Sequence, residues 1–292
     1  MFCSEAGARL DNYINDKGYK KVILVAHSMG GLVASNYIMT LKVKEQLYKV
    51  DKLITLGTPF LGAPKLIDVF LNGNALDDAM TDWWLNITGA IPGIMPNMKS
   101  IYELLPTQQW FTTANKTLFT YTNYYNVPGH PDEGVPTVST TYSDTRTRLY
   151  EKMDNINMSL LSKAENMHSH LFTGSSHITS FVDSYYISGV NKATNTEIKS
   201  NIMVETGKLE SMSFPKTNLG DGTMPVWSAN LGGIYPDKAY YAADREHGGA
   251  IHGDGSITEG LVVSNNVIQM VKNIINNNPK TLPAGITQTP PN

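Results

Sequence analysis

The stretch from Val22 to Leu56 constrains the fold more than any other part of the chain. A short apolar run, Val22-Ile23-Leu24-Val25, meets a tight turn, His27-Ser28-Met29-Gly30-Gly31, and the helical pattern Leu32, Val33, Tyr37, Ile38 follows. Continuous apolar residues rich in β-branching suit a strand buried on both faces of a parallel sheet. Val50-Asp51-Lys52-Leu53-Ile54-Thr55-Leu56 reads as a second such strand. Two strands joined through a helix make a βαβ crossover, which commits this region to an α/β architecture.

Around that unit the pattern is less regular. Ala6, Leu10, Tyr13 and Ile14 recur at helical spacing, and Asp16-Lys17-Gly18 supplies a stop. Between 66 and 171 alternation is lost, and Trp, Met, Pro and Tyr accumulate, as at Trp83-Trp84 and Ile94-Met95-Pro96. This segment reads as an inserted, largely helical cap. Strand character returns at Ser184-Tyr185-Tyr186-Ile187-Ser188, at Ile202-Met203-Val204 and at Ala239-Tyr240-Tyr241-Ala242-Ala243, and a helix follows over 265–276. The expected layout is a core from 1–65 and 172–278, a mostly parallel sheet flanked by helices, with the cap at 66–171. Residues 279–292, with Pro279, Pro283, Pro290 and Pro291, read as a linker-like tail.

Composition removes several functional classes. The net charge of −3 and the lack of a basic run argue against nucleic acid, whose binding needs clustered Lys and Arg. The single cysteine, Cys3, excludes an internal disulfide, and no Cys/His cluster has zinc-ligand spacing. No apolar run reaches the roughly 18 residues of a membrane span, and no basic-then-apolar leader opens the sequence. Charged residues make up 17%, against roughly 25% in an average soluble domain, while Asn, Thr, Ser and Tyr abound. That balance points to an extracellular or cell-surface setting.

The turn after the first strand carries the chemistry. In Ala26-His27-Ser28-Met29-Gly30, small residues stand two positions either side of a serine, as a sharp strand-to-helix turn requires. Such a turn exposes the Ser28 hydroxyl beside a helix N-terminus, where the dipole and the Met29 N–H can stabilise an oxyanion. His27 is read as structural. A serine nucleophile needs a base and an acid, and in this architecture they follow it as acid and then histidine. Gly220-Asp221-Gly222-Thr223-Met224-Pro225 is a tight loop presenting a carboxylate, so Asp221 is the candidate acid; a lone Asx turn is the plain alternative. His247, in Arg245-Glu246-His247-Gly248-Gly249 just past a strand, is the candidate base, with His252 as its rival. Together they describe acyl transfer through an acyl-enzyme.

Four blocks carry a resemblance. Val25-Ala26-His27-Ser28-Met29-Gly30-Gly31-Leu32-Val33, Leu56-Gly57-Thr58-Pro59-Phe60-Leu61-Gly62-Ala63-Pro64, Tyr102-Glu103-Leu104-Leu105-Pro106 and Gly220-Asp221-Gly222-Thr223-Met224-Pro225-Val226-Trp227-Ser228 resemble the lecithin:cholesterol acyltransferase and phospholipase branch of lipases, in its bacterial form. The resemblance implies an α/β-hydrolase fold with a cap over the site, an acyl-ester or lipid substrate, no redox or nucleotide cofactor, transient contact with a lipid surface, and Ser28, Asp221 and His247 as the triad. It implies substrate contacts from Phe60 and Leu61. Trp83 and Trp84 would belong to a lid or acyl-binding wall, or equally to ordinary cap core. A lipid-binding homologue without activity and a peptidase or amidase with the same triad are the competing functions.

The sequence departs from that family at its start. Ser28 comes early, with no room before the opening helix for further strands or for a loop donating a second oxyanion N–H. The first strands of the sheet are therefore expected to be missing, and the chain to be a fragment of a longer protein.

Overall fold

The computed structural model describes residues 1–72, 95–124, 136–154, 156–251 and 257–291. In chain order these form α1 (Phe2–Asp16), β1 (Val22–His27), α2 (Gly30–Val43), β2 (Val50–Leu56), α3 (Lys65–Asn72), β3 (Phe119–Tyr124), β4 (Pro136–Ser139), α4 (Tyr142–Arg148), α5 (Met158–His170), β5 (Asp183–Val190), β6 (Ile198–Met203), β7 (Leu209–Ser213), β8 (Ala239–Ala243), α6 (Asn265–Ile275) and β9 (Ile286–Thr287), with short helical turns and two-residue ladders between them.

The central sheet has the order β1-β2-β5-β8-β9. Its first four strands are parallel and β9 closes one edge antiparallel, so this is an α/β fold with a mostly parallel sheet. Helices cover both faces. On one, Ile14 of α1 and Tyr37, Ile38 and Leu41 of α2 pack over Ala26, Val50 and Leu53. On the other, Val267, Met270 and Ile274 of α6 pack over Ile54, Leu56, Tyr185, Ile187 and Tyr240. The spacing of those α6 residues puts them on one face, and burying each such side chain contributes about 1.5–3 kcal/mol.

Three expectations need correction. The strand at Val22 is not buried on both faces: it is the edge of the sheet, no strand pairs with its outer side among the described residues, and Val25 is 49% exposed. Val22, Leu24 and Ala26 meet the α1/α2 layer and Ile23 reaches the α6 layer, but α6 sits over β2, β5 and β8 and leaves Val25 uncovered. The interior strands β2, β5 and β8 are the ones buried nearly throughout.

The segment read as a helical cap also holds strands. Phe119 and Tyr121 of β3 point inward, their rings stacked at 5.5 Å, while Thr120 and Thr122 are half-buried. With β4, β6 and β7 it makes a second sheet, ordered β7-β6-β3-β4. The strand at Ile202 thus belongs to this layer and not to the central sheet. Finally, the proline-rich end is no free linker over its whole length: Ile286 and Thr287 pair with Ala242 and Tyr241, and Ile286 is buried against the α6 cluster.

Candidate active site

Ser28 follows directly on β1 and adopts a φ of +54°, the left-handed region that a residue with a side chain normally avoids. The surrounding sheet holds it there: the Ser28 N–H donates to the Leu56 carbonyl at 2.9 Å, continuing the β1–β2 ladder, and the Gly31 N–H donates to the Ser28 carbonyl at 3.0 Å as α2 begins. Strain of this kind is tolerated where neighbouring structure over-determines it and where it aims a functional atom.

The small residues around the turn divide their work differently from the expectation. A methyl group added at Gly30 would meet nothing closer than the Ala26 Cβ at 3.8 Å, so Gly30 is not the crowded position. Gly31 is: an added Cβ would lie 2.1 Å from the Thr58 Oγ1, because α2 starts hard against the loop after β2.

The Asp221 carboxylate is 1% exposed, and its two oxygens have separate duties. Oδ1 accepts from the Thr223 N–H at 3.0 Å and the Met224 N–H at 2.6 Å, folding its own loop as an Asx turn. Oδ2 lies 2.8 Å from His247 Nδ1. One oxygen thus closes the Asx turn and the other faces the histidine ring. The Gly222 N–H donates to Thr194 Oγ1 at 2.8 Å and braces the turn from outside.

His247 completes the chain of contacts. Its Nε2 is 2.8 Å from Ser28 Oγ, so serine hydroxyl, imidazole and carboxylate lie in series. The His247 N–H donates to the Asp221 carbonyl at 2.9 Å, a second link between the two loops. Farther along, Arg245 Nε donates to Ser264 Oγ at 2.8 Å and pairs with Glu259 at 2.9 Å, which ties the histidine loop to the start of α6. His252 lies outside the described residues.

The Met29 N–H, at the head of α2, donates to no acceptor among the described residues and is free to receive one. His27 Nε2 lies 2.8 Å from the His247 carbonyl, and the two rings are 4.7 Å apart. Burial pushes its pKa down to about 4, with His247 beside it adding to the shift.

Sequence reasoning overlooked Gly57, which sits at φ +57° after β2. A Cβ there would stand 2.8 Å from Asp221 Oδ2 and 2.9 Å from His247 Nδ1. Gly189 is similar, with an added Cβ 2.7 Å from the Asp221 Cβ and 2.6 Å from the Arg245 carbonyl oxygen. A glycine just after β2 and another near the end of β5 are the signal that could have revealed both. Phe60 and Leu61, expected at substrate, are wholly buried in the main core; Phe60 packs edge-on to His177 and Tyr186 at 5.0 and 5.8 Å. Trp83 and Trp84 lie outside the described residues. Among the described residues no three His, Cys, Asp or Glu side chains gather as metal ligands, and no helix is long and apolar enough to cross a membrane.

Comparison with known proteins places residues 8–199 on the family model described as lecithin:cholesterol acyltransferase. Over 105 residues the chain is 31% identical to phospholipase A(1) LCAT3 of Arabidopsis thaliana, a match covering 35% of this chain and 23% of that protein. Among solved structures, one described as the crystal structure of the Tle4–Tli4 complex matches with a TM-score of 0.42 and 16% identity, over 77% of this chain and 54% of that one.

Proposed function

The chain belongs to the lecithin:cholesterol acyltransferase family, and on that premise we propose that it is a serine-dependent hydrolase of lipid acyl esters in which Ser28 is the nucleophile, His247 the general base and Asp221 the acid that orients it. The observation carrying the proposal is the unbroken series Ser28 Oγ, His247 Nε2, His247 Nδ1, Asp221 Oδ2, with 2.8 Å at each contact between residues. A structural histidine has no need of both partners, and a serine held at positive φ costs on the order of 1–3 kcal/mol that function repays.

In the proposed reaction His247 Nε2 takes the proton as Ser28 Oγ attacks the ester carbonyl. Asp221 Oδ2 holds Nδ1–H, fixing the tautomer and stabilising the imidazolium. The Met29 N–H, reinforced by the positive end of α2, receives the developing oxyanion. His247 then protonates the departing alcohol, leaving an acyl group on Ser28. Water releases the acid; an alcohol in its place yields a new ester, so one site supports hydrolysis and acyl transfer. The family and the plant phospholipase relative favour a lipid ester over an amide as the substrate.

The test is labelling with a fluorophosphonate, followed by mass spectrometry of the modified peptide, with Ser28→Ala as control. Labelling at Ser28 that disappears in the variant is expected, together with faster turnover of a medium-chain ester than of its matched amide. A folded chain that does not label would overturn the proposal.

A further inference from the structure

Both backbone polar groups of His247 are tied to the segments that carry its two partners. Its N–H donates to the carbonyl of Asp221 at 2.9 Å, and its carbonyl lies 2.8 Å from Nε2 of His27, the residue before Ser28. A carbonyl only accepts, so His27 Nε2 carries the hydrogen and, in the neutral ring, Nδ1 is bare. The two imidazoles also lie against each other, centroids 4.7 Å apart and planes tilted by 38°.

We propose that His27 is a positioning residue for His247: its Nε2–H grips the His247 carbonyl and its ring backs the imidazole, so the base stays in line between Ser28 and Asp221. The proposal deepens the hydrolase reading, on which its consequences for turnover rest. Clamp and nucleophile are consecutive residues at the end of β1, so the histidine loop is referenced to the same piece of backbone that aims Ser28. The ring is also suited electrically. When His247 takes the serine proton it becomes a cation, and a second cation 4.7 Å away in a buried site would oppose it. Burial keeps His27 neutral, its pKa held down near 4. A lysine or arginine could make the same hydrogen bond only by placing a charge there.

Two kinds of variant separate the clamp from simple packing. His27→Phe keeps a ring and loses the donor; His27→Gln keeps a neutral N–H at similar reach and loses the ring. The expected result with a soluble p-nitrophenyl ester is a fall in kcat of at least tenfold for His27→Phe with KM unchanged, and recovery to within about threefold of wild type for His27→Gln. Long-range 1H–15N spectra of the His247 ring, which need no turnover, should show one Nδ1–H tautomer in wild type and His27→Gln, and tautomer averaging in His27→Phe. His27→Ala serves in the same two measurements should the phenylalanine variant not fold. Wild-type kcat and an unchanged His247 spectrum in the donor-less variant would overturn the clamp. A wild-type protein that neither labels nor turns over ester defeats the hydrolase reading alone, and the ring spectra then decide the clamp.

Discussion

Gly57 and Asp221 are so close that a methyl group on the Gly57 α-carbon would stand 2.8 Å from the Asp221 carboxylate oxygen that faces His247. The same methyl group would lie 2.9 Å from His247 Nδ1, and the φ of +57° disfavours any side chain. Gly57→Ala is therefore expected to push Asp221 and His247 apart while leaving Ser28 and its helix intact. The labelling rate should drop by about 100-fold, as small misplacements of catalytic groups do, with a stability loss of about 1–3 kcal/mol from the strained backbone. Labelling at the wild-type rate would show that the pair does not depend on this approach.

The strained serine offers a comparison free of its hydroxyl. Ser28→Ala and Ser28→Gly both lose the bond to His247, but only glycine relaxes the φ of +54°. The glycine variant is expected to be more stable than the alanine variant by about 1 kcal/mol. Urea unfolding of the two proteins side by side measures the difference, and equal midpoints and slopes would mean the turn stores no strain.

Buried His177 and half-buried His27 make the fold sensitive to acid. Burial holds His177 down to about 3, with His168 adding to it, and holds His27 down to about 4. In the unfolded chain each titrates near 6.5. Above that pH neither state binds the proton and the contribution is fully present; between about 6.5 and the folded values only the unfolded state binds it, so stability falls as pH falls. The combined loss by pH 4 is on the order of a few kcal/mol. Denaturant unfolding at pH 7.5 and 4.5 should show it, and His177→Gln should flatten the dependence by about one proton; an equally steep profile in the variant would exclude His177.

The edge strand β1 leaves Val25 half-exposed and its outer backbone edge without a partner strand among the described residues. Edges of this kind template association unless a charge blocks them. Val25→Lys is expected to reduce concentration-dependent self-association in light scattering, with little change in labelling at Ser28. An unchanged mass distribution would place any association elsewhere.

Much of this site is legible in the sequence because its parts are local. A strand, a small-residue turn and a helix specify the elbow at Ser28 within about ten residues, and Gly220-Asp221-Gly222 folds its carboxylate through its own Thr223 and Met224 amides. The parallel crossover from β1 to β2 follows from the same local periodicity.

What only the tertiary structure decided is whatever depends on residues far apart in sequence meeting in space. The strand at Val22 reads as apolar whether it lies inside a sheet or at its edge, since hydrophobicity records what can be buried and not what arrives to bury it. β3 and β6 are separated by more than seventy positions yet pair in register, Phe119 with Ile198, a partnership no local pattern specifies. The roles of Gly57, Gly189 and His27 have the same origin: each matters for an atom on a distant loop, Asp221 or His247, which sequence alone gives no reason to place beside it.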